Sequence, residues 1–139
     1  MMDKNKTIFE LIHEMDQVTN QLIIQWNQMF SESLGISHIL VINHLNKHGK
    51  SRPSDIARSL GLTPPSLTHL SEKLIKKGFA NRMRDENDRR ILYLDITDEG
   101  RKVLSKAQES GKTLRKQLVQ KLTDEEISQL LNLYEKLNK

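Results

Sequence analysis

The stretch from residue 60 to residue 100, LGLTPPSLTHLSEKLIKKGFANRMRDENDRRILYLDITDEG, decides the fold. Gly61 supplies a left-handed residue that closes one helix, and Thr63 caps the next. Pro64 and Pro65 fall in the first turn, where a missing N–H costs nothing. Leu67, Leu70, Leu74 and Ile75 recur at helical spacing and mark the buried side, and Gly78 is the natural stop. Pro65, Ser66, Thr68, His69, Lys73 and Lys76 are left facing outward.

After Gly78 the period changes from helical to alternating. Leu92, Leu94 and Ile96 share one face of a strand, while Ile91, Tyr93 and Asp95 share the other. Phe79 to Arg84 is its antiparallel partner, and the charged run Asp85 to Arg90 between them is a solvated loop. The result is a helix-turn-helix followed by a hairpin with arginines at its tip. An exposed helix bearing small polar and cationic groups suits the DNA major groove, which admits a helix and offers hydrogen-bonding base edges. Arginine suits a narrow minor groove, because its planar guanidinium is always charged and the groove's potential is negative.

These residues resemble the MarR (multiple antibiotic resistance regulator) family of winged-helix regulators. The resemblance is carried by the helix-turn-helix at Ile56-Ala57-Arg58-Ser59-Leu60-Gly61-Leu62 and by the recognition-helix end Leu74-Ile75-Lys76-Lys77-Gly78-Phe79. The wing signature Asp88-Arg89-Arg90, followed by Leu94-Asp95-Ile96-Thr97-Asp98-Glu99-Gly100, completes it. The order of elements matches from near Thr7 to the C-terminus. The resemblance implies a mainly α fold with a small β-hairpin wing, in which long N- and C-terminal helices interlock two subunits. It also implies that Asp88 braces an arginine in the minor groove, a role that maps best onto Arg90, with Arg89 the alternative. A small molecule, often aromatic or anionic, releases such regulators from DNA.

The length of 139 residues fits a single domain. Its expected parts are a winged helix-turn-helix over 37–97 and dimerisation helices over 7–34 and 98–139. An aromatic content of 4% makes the core aliphatic, and a net charge of +4 favours a polyanionic partner. With no cysteine, disulfides, thiolate metal sites and thiol redox switches are excluded. Glu10 and His13 interrupt the apolar run Ile8 to Ile12, so a signal peptide is not expected and a cytoplasmic location is. No Gly-rich phosphate loop, nucleophile elbow or metal-ligand motif appears, so neither catalysis nor a cofactor is expected.

Outward from the central stretch, Met1 to Lys6 is expected to fray. From Thr7, Ile8, Ile12, Met15, Leu22, Trp26 and Met29 form a stripe on a helix expected to end near Ser33 to Gly35. Such a stripe needs a cover, and a second subunit supplies it. Ser37 is the expected cap of a second helix whose Ile39, Leu40, Ile42 and Leu45 run inward before Gly49 ends it. Pro53 opens the short helix of Ile56, Ala57 and Leu60, and Ser54 at its start either caps it or holds a phosphate.

Past the wing, Thr97 caps a helix with Asp98 and Glu99 in its first turn and a face of Val103, Leu104, Ala107, Leu114, Leu118 and Leu122. Gly111 interrupts that face, which points to close helix packing or a bend. Thr123 and Glu126 form a capping box before Ile127, Leu130, Leu131, Tyr134 and Leu137.

The candidate DNA-contacting residues are therefore Ser54, Pro65, Ser66, Thr68, His69, Lys73, Asp88, Arg89 and Arg90. Lys76 and Lys77 meet phosphate or solvent, and Arg82 and Arg84 meet phosphate or pair with Asp85, Glu86 or Asp95. His44 and His48 have the spacing of a metal pair but lack further ligands, so solvated histidines are the reading preferred for all five. Trp26, Met29, Phe30 and His38 either line an effector pocket or, for the first three, simply pack the core. The readings to set beside a sequence-specific dimeric regulator of double-stranded DNA are a helical protein-interaction module and a non-specific architectural DNA binder.

Overall fold

Eight elements follow one another in the computed structural model, which describes residues 3–30 and 32–139. They are α1 (Lys4–Met29), α2 (Ile36–His48), α3 (Pro53–Leu60), α4 (Pro64–Lys76), β1 (Ala80–Arg84), β2 (Leu92–Ile96), α5 (Asp98–Val119) and α6 (Asp124–Leu137). The fold is mainly helical with one antiparallel hairpin, as the sequence indicates. Two units form: residues 30–108, and the residues up to 29 together with 109–139.

The unit over 30–108 is built around α2, α3 and α4, with β2 against α2 and α3 and β1 against α4. Gly61 is left-handed (φ 67°, ψ 31°) and Thr63 Oγ1 accepts from the Ser66 N–H, so the turn between α3 and α4 forms as its sequence dictates. Leu67 and Leu74 are buried as expected, whereas Leu70 and Ile75 are only half-buried. Ser71 takes the remaining core position of α4, and its buried hydroxyl has no hydrogen-bond partner among the described residues. Ile56, Ala57, Val41, Ile42 and Leu45 complete the aliphatic core, with Leu94 and Ile96 contributed by β2.

β1 pairs with β2 in the register Ala80↔Ile96 to Arg84↔Leu92. A third partner was not legible in the sequence. Ser51 and Leu94 exchange two hydrogen bonds of 2.9 Å each, which tie the α2–α3 connection to the hairpin. Thr97 Oγ1 donates to the Gly78 carbonyl (2.7 Å) and accepts from the Gly100 N–H (2.9 Å), capping α5 and binding it to the end of α4 at once.

Several expectations need correction. α1 starts before Thr7, because Asp3 accepts the Asn5 N–H at 3.0 Å and caps a segment expected to fray; Met1 and Met2 lie outside the described residues. α1 ends at Met29 rather than near Ser33 to Gly35, and Ser33 is left-handed with φ 58°; Ser31, inside the expected helix, also lies outside the described residues. Gly35, not Ser37, occupies the N-cap of α2, where the His38 ring replaces a capping side chain. Leu40 is exposed and Val41 is buried in its place, since helix rotation about its axis is set by the neighbours in space.

In the other unit, α6 begins with the expected capping box: Thr123 Oγ1 accepts the Glu126 N–H and Glu126 accepts the Thr123 N–H. Phe9, Leu11, Ile12 and Met15 of α1 and Leu131, Leu133, Tyr134 and Leu137 of α6 are exposed. Trp26 is buried and Met29 is not, so core packing holds for the first alone of these two.

The glycines of α5 separate by their surroundings. A Cβ on Gly100 would collide with the Phe79 carbonyl oxygen and approach Ile96 Cγ1 to 2.8 Å, whereas one on Gly111 meets only the flexible end of Arg115. Close packing within the chain, one of the two explanations expected, therefore does not account for Gly111. Gly100→Ala is expected to destabilise the fold by about 2 kcal/mol through overpacking. Gly111→Ala is expected to stabilise it by about 1 kcal/mol through helix propensity. Urea midpoints at one fixed protein concentration, with unchanged slope, check both.

Candidate nucleic-acid interface

The outward face of α4 carries Pro65, Ser66, Thr68 and His69, all exposed, with Lys73 half-buried rather than fully outward. Their hydrogen bonds sort the hydroxyls by what they can offer. Thr68 Oγ1 donates to the Pro64 carbonyl at 3.0 Å, so its proton is spent and it presents lone pairs and a methyl group. Ser66 Oγ accepts from the Thr63 hydroxyl at 2.9 Å and keeps its own proton to donate. One face therefore offers a donor, an acceptor, an apolar methyl and a cation, the set that base edges in a major groove distinguish. An open groove of about 440 Å³ flanks this face, lined by Ser37, Leu62, Pro65, Ser66, His69 and Leu70.

His38 is not a solvated histidine. Its Nδ1 accepts the Gly35 N–H at 3.0 Å, and its buried Nε2 has no hydrogen-bond partner among the described residues. Because Nδ1 accepts, the ring is neutral with its proton on Nε2, and burial, followed by the neighbouring Lys73 and His69, lowers its pKa. His13 lies 3.0 Å from Gln17 Nε2. The rings of His44 and His48 are 4.5 Å apart, and no cluster of three metal-ligating side chains occurs among the described residues.

At the start of α3 the N-cap is Arg52, which makes no side-chain cap, so Ser54 is not the capping residue. Ser54 is exposed in that first turn, where the Asp55 and Ile56 N–H groups donate to the Arg52 carbonyl at 3.0 and 3.1 Å.

The wing loop is held by two carboxylates in series. Asp85 Oδ2 accepts the N–H groups of Asn87 (3.0 Å) and Asp88 (2.9 Å), and Asp85 Oδ1 accepts the Tyr93 hydroxyl at 3.3 Å. Asp88 in turn takes Arg90 in a fork, from Nε at 3.0 Å and Nη2 at 3.1 Å, and also accepts the Arg90 N–H. The Arg90 side chain is nevertheless 91% exposed. Arg89 is exposed and has no carboxylate partner among the described residues, and its carbonyl receives Arg84 Nη1 at 2.8 Å. Arg84 and Arg82 thus form no ion pair with Asp85, Glu86 or Asp95, contrary to one of the two expectations for them.

Residues beyond the sequence-derived set face the same surface. Lys50 Nζ stands 5.0 Å from the centre of the Tyr93 ring, and exposed Arg52 is close enough to Asp88 to help lower its pKa. The Asp85–Asn87–Asp88 spacing carries the signature of an Asx turn, which is the signal that would have found Asp85. Nothing local in the sequence points to Lys50 or Arg52, because their neighbours belong to the hairpin.

Comparison with known proteins follows the same lines. Residues 34–92 match the family model described as MarR family. Over its full length the chain is 24% identical to YpoP, an uncharacterized HTH-type transcriptional regulator of Bacillus subtilis, covering 99% of that protein. Its fold is similar to that of the YusO protein from Bacillus subtilis, with a TM-score of 0.83 and 22% identity over 99% of this chain and 98% of that one. It is also similar to a mutant MarR from E. coli complexed with operator DNA, with a TM-score of 0.72 and 21% identity over 98% and 99% of the two chains.

The carboxyl of Asp88 is held below its ordinary value of 3.8 chiefly by the Arg90 fork, and that of Asp85 by the amides of Asp88 and Asn87. Because both folded-state values are depressed, these bonds support the loop fully above the ordinary value and are lost as pH falls through the lowered ones. In a carboxyl-carbon NMR titration both groups are expected to titrate below 3.8. Arg90→Ala should raise the Asp88 value towards ordinary and leave Asp85 depressed. Equal movement of both would contradict this arrangement.

Proposed function

Because the chain belongs to the MarR family of winged-helix, DNA-binding transcriptional regulators, which are not enzymes, we propose that it works as a homodimer that represses transcription from an inverted-repeat operator and is released by a small molecule. The observation that carries this reading is the wing tip, where a forked aspartate holds an otherwise exposed Arg90, in a unit that also presents the chemically mixed outward face of α4. Arg90, rather than Arg89, is the residue for the minor groove, and Asp88 is its brace. Ser66, Thr68, His69 and Lys73 read base edges or phosphates with Pro65 packed among them, and Ser54 meets a phosphate at the start of α3. The protein then acts in the cytoplasm, on chromosomal DNA.

Dimerisation is supported by the apolar side chains that α1 and α6 leave in solvent, with Phe9 71% and Leu137 74% exposed. A monomer rarely carries so many on its terminal elements. The terminal helices, expected at 7–34 and 98–139, are the segments that a second copy would cover, leaving the winged part over 37–97 to reach DNA. Two-fold symmetry then places the recognition helices about 34 Å apart, matching half-site centres about one helical turn apart. An effector releases the complex only if it binds better to a dimer whose helices are wrongly spaced for DNA. Repression requires nothing more than occupancy of the promoter.

Selection from a random duplex pool at physiological salt should enrich an inverted repeat with half-site centres about 10 base pairs apart. Arg90→Ala should weaken binding to the selected site by about 2 kcal/mol while leaving the dimer folded. Affinity should fall steeply with added salt, since lysine and arginine contacts release counterions. A salt-insensitive interaction would point to a protein-docking module, and retention without sequence enrichment to an architectural DNA binder. In sedimentation at micromolar concentration the protein should run as a dimer; a folded monomer there would overturn the two-fold reading.

A further inference from the structure

Arg90 is almost wholly in solvent, yet its guanidinium is engaged at two nitrogens and its backbone at a third. A fork of this kind confers order only if the carboxylate forming it is itself fixed. Asp88 sits in a solvated loop that has no helix or strand of its own, so its position must come from elsewhere.

Asp85 supplies that position. It stands immediately after the last paired residue of β1, where the Arg84↔Leu92 pair ends the ladder. One carboxylate oxygen draws in the N–H groups of Asn87 and Asp88, folding the chain back into a turn. The turn is closed on its other side by Asp85 N–H to the Ile91 carbonyl and Ile91 N–H to the Asp88 carbonyl, both at 3.0 Å. The second carboxylate oxygen receives the Tyr93 hydroxyl, and Lys50 lies over the Tyr93 ring. Lys50 and Tyr93 each directly precede a member of the Ser51–Leu94 pair, so the contact leads back to the core of the winged unit.

We propose that Asp85 is a positioning residue: it makes no contact with DNA itself, and by ordering the backbone of Asp88 it holds the Arg90 guanidinium in one presented geometry. The inference rests on the reading of Arg90 as the minor-groove residue for its consequence, but not for its physical content. A long cationic side chain that is already ordered loses less conformational freedom on entering a groove. Asp85 is thereby a determinant of affinity at a distance from the DNA.

The test has one arm without DNA and one with it. In the free protein, the heteronuclear NOE of the Arg90 Nε–H should show an ordered side chain, and in Asp85→Ala it should fall to the value of Arg89. Asp85→Asn should keep most of the order, because its amide oxygen still accepts both backbone N–H groups. An Arg90 Nε–H that stays ordered in Asp85→Ala overturns the proposal, as does an Asn variant that behaves like the Ala one.

In the second arm, Asp85→Ala should weaken binding to the selected duplex about tenfold. Asp85→Ala combined with Arg90→Ala should be within about twofold of Arg90→Ala alone. Additive losses would mean that Asp85 acts through the wing as a whole and would overturn the proposed route through Arg90. Unchanged binding by Arg90→Ala would instead refute the groove assignment, with the NOE arm still deciding whether Asp85 orders that side chain.

Discussion

Two hydrogen bonds between Ser51 and Leu94 hold the winged unit together as a reading device. Leu94 is buried, so these bonds are made away from water, where an unpaired backbone group is costly. On one side of the bridge the chain enters α3 at Pro53 and so sets the helix-turn-helix; on the other it runs along β2 and so sets the hairpin. A two-stranded ribbon alone is marginal in water. The bridge, the packing of β1 and β2 on the helices, and the Thr97 hydroxyl bound to Gly78 together give the ribbon a fixed direction relative to α4. Gly100 belongs to the same constraint, because α5 begins so close to the Phe79 carbonyl that any side chain there would push it away.

The wing tip illustrates why exposed ion pairs are poor stability arguments and good functional ones. An exposed pair contributes little to folding, since both partners are also well solvated when apart. What the Asp88–Arg90 fork changes is the freedom of the arginine before it meets a ligand, and a chain of two carboxylates extends that order from the strand ends to the tip. A different logic operates at His38. There a neutral imidazole accepts the N–H of Gly35, the N-cap residue of α2, and burial together with the neighbouring Lys73 on α4 favours its neutral form. Both cases place polar groups where their protonation state is set by neighbours rather than by solvent.

Local chemistry was legible wherever a single turn or period decides the outcome. Gly61, Thr63, Thr97 and the Thr123–Glu126 box act within four residues of themselves, and each behaves as the sequence indicates. The alternation of β2, the turn between α3 and α4 and the hairpin were readable for the same reason, whereas the bracing of Arg90 by Asp88 was implied by the resemblance to the MarR family. The limits appeared at Leu40 and Val41, at Leu70 and Ser71, and at the end of α1, where adjacent residues compete for one inward position. Periodicity marks a stripe about one helical face wide, and the neighbours choose which edge of it is buried.

By itself, then, the sequence determined the kinds of element, their order, the caps at Thr63, Thr97 and Thr123 and the cationic loop between two strands, because these follow from dihedral preferences and from spacing along the chain. Only the tertiary structure decided that Ser51 pairs with Leu94, that Gly100 must lack a side chain, that Lys50 and Arg52 share the face of the wing, and that Tyr93 reaches Asp85. Except for the Tyr93–Asp85 contact, these join residues more than twenty positions apart. Such contacts exist only once packing has brought the segments within the few ångströms over which hydrogen bonds and van der Waals repulsion act.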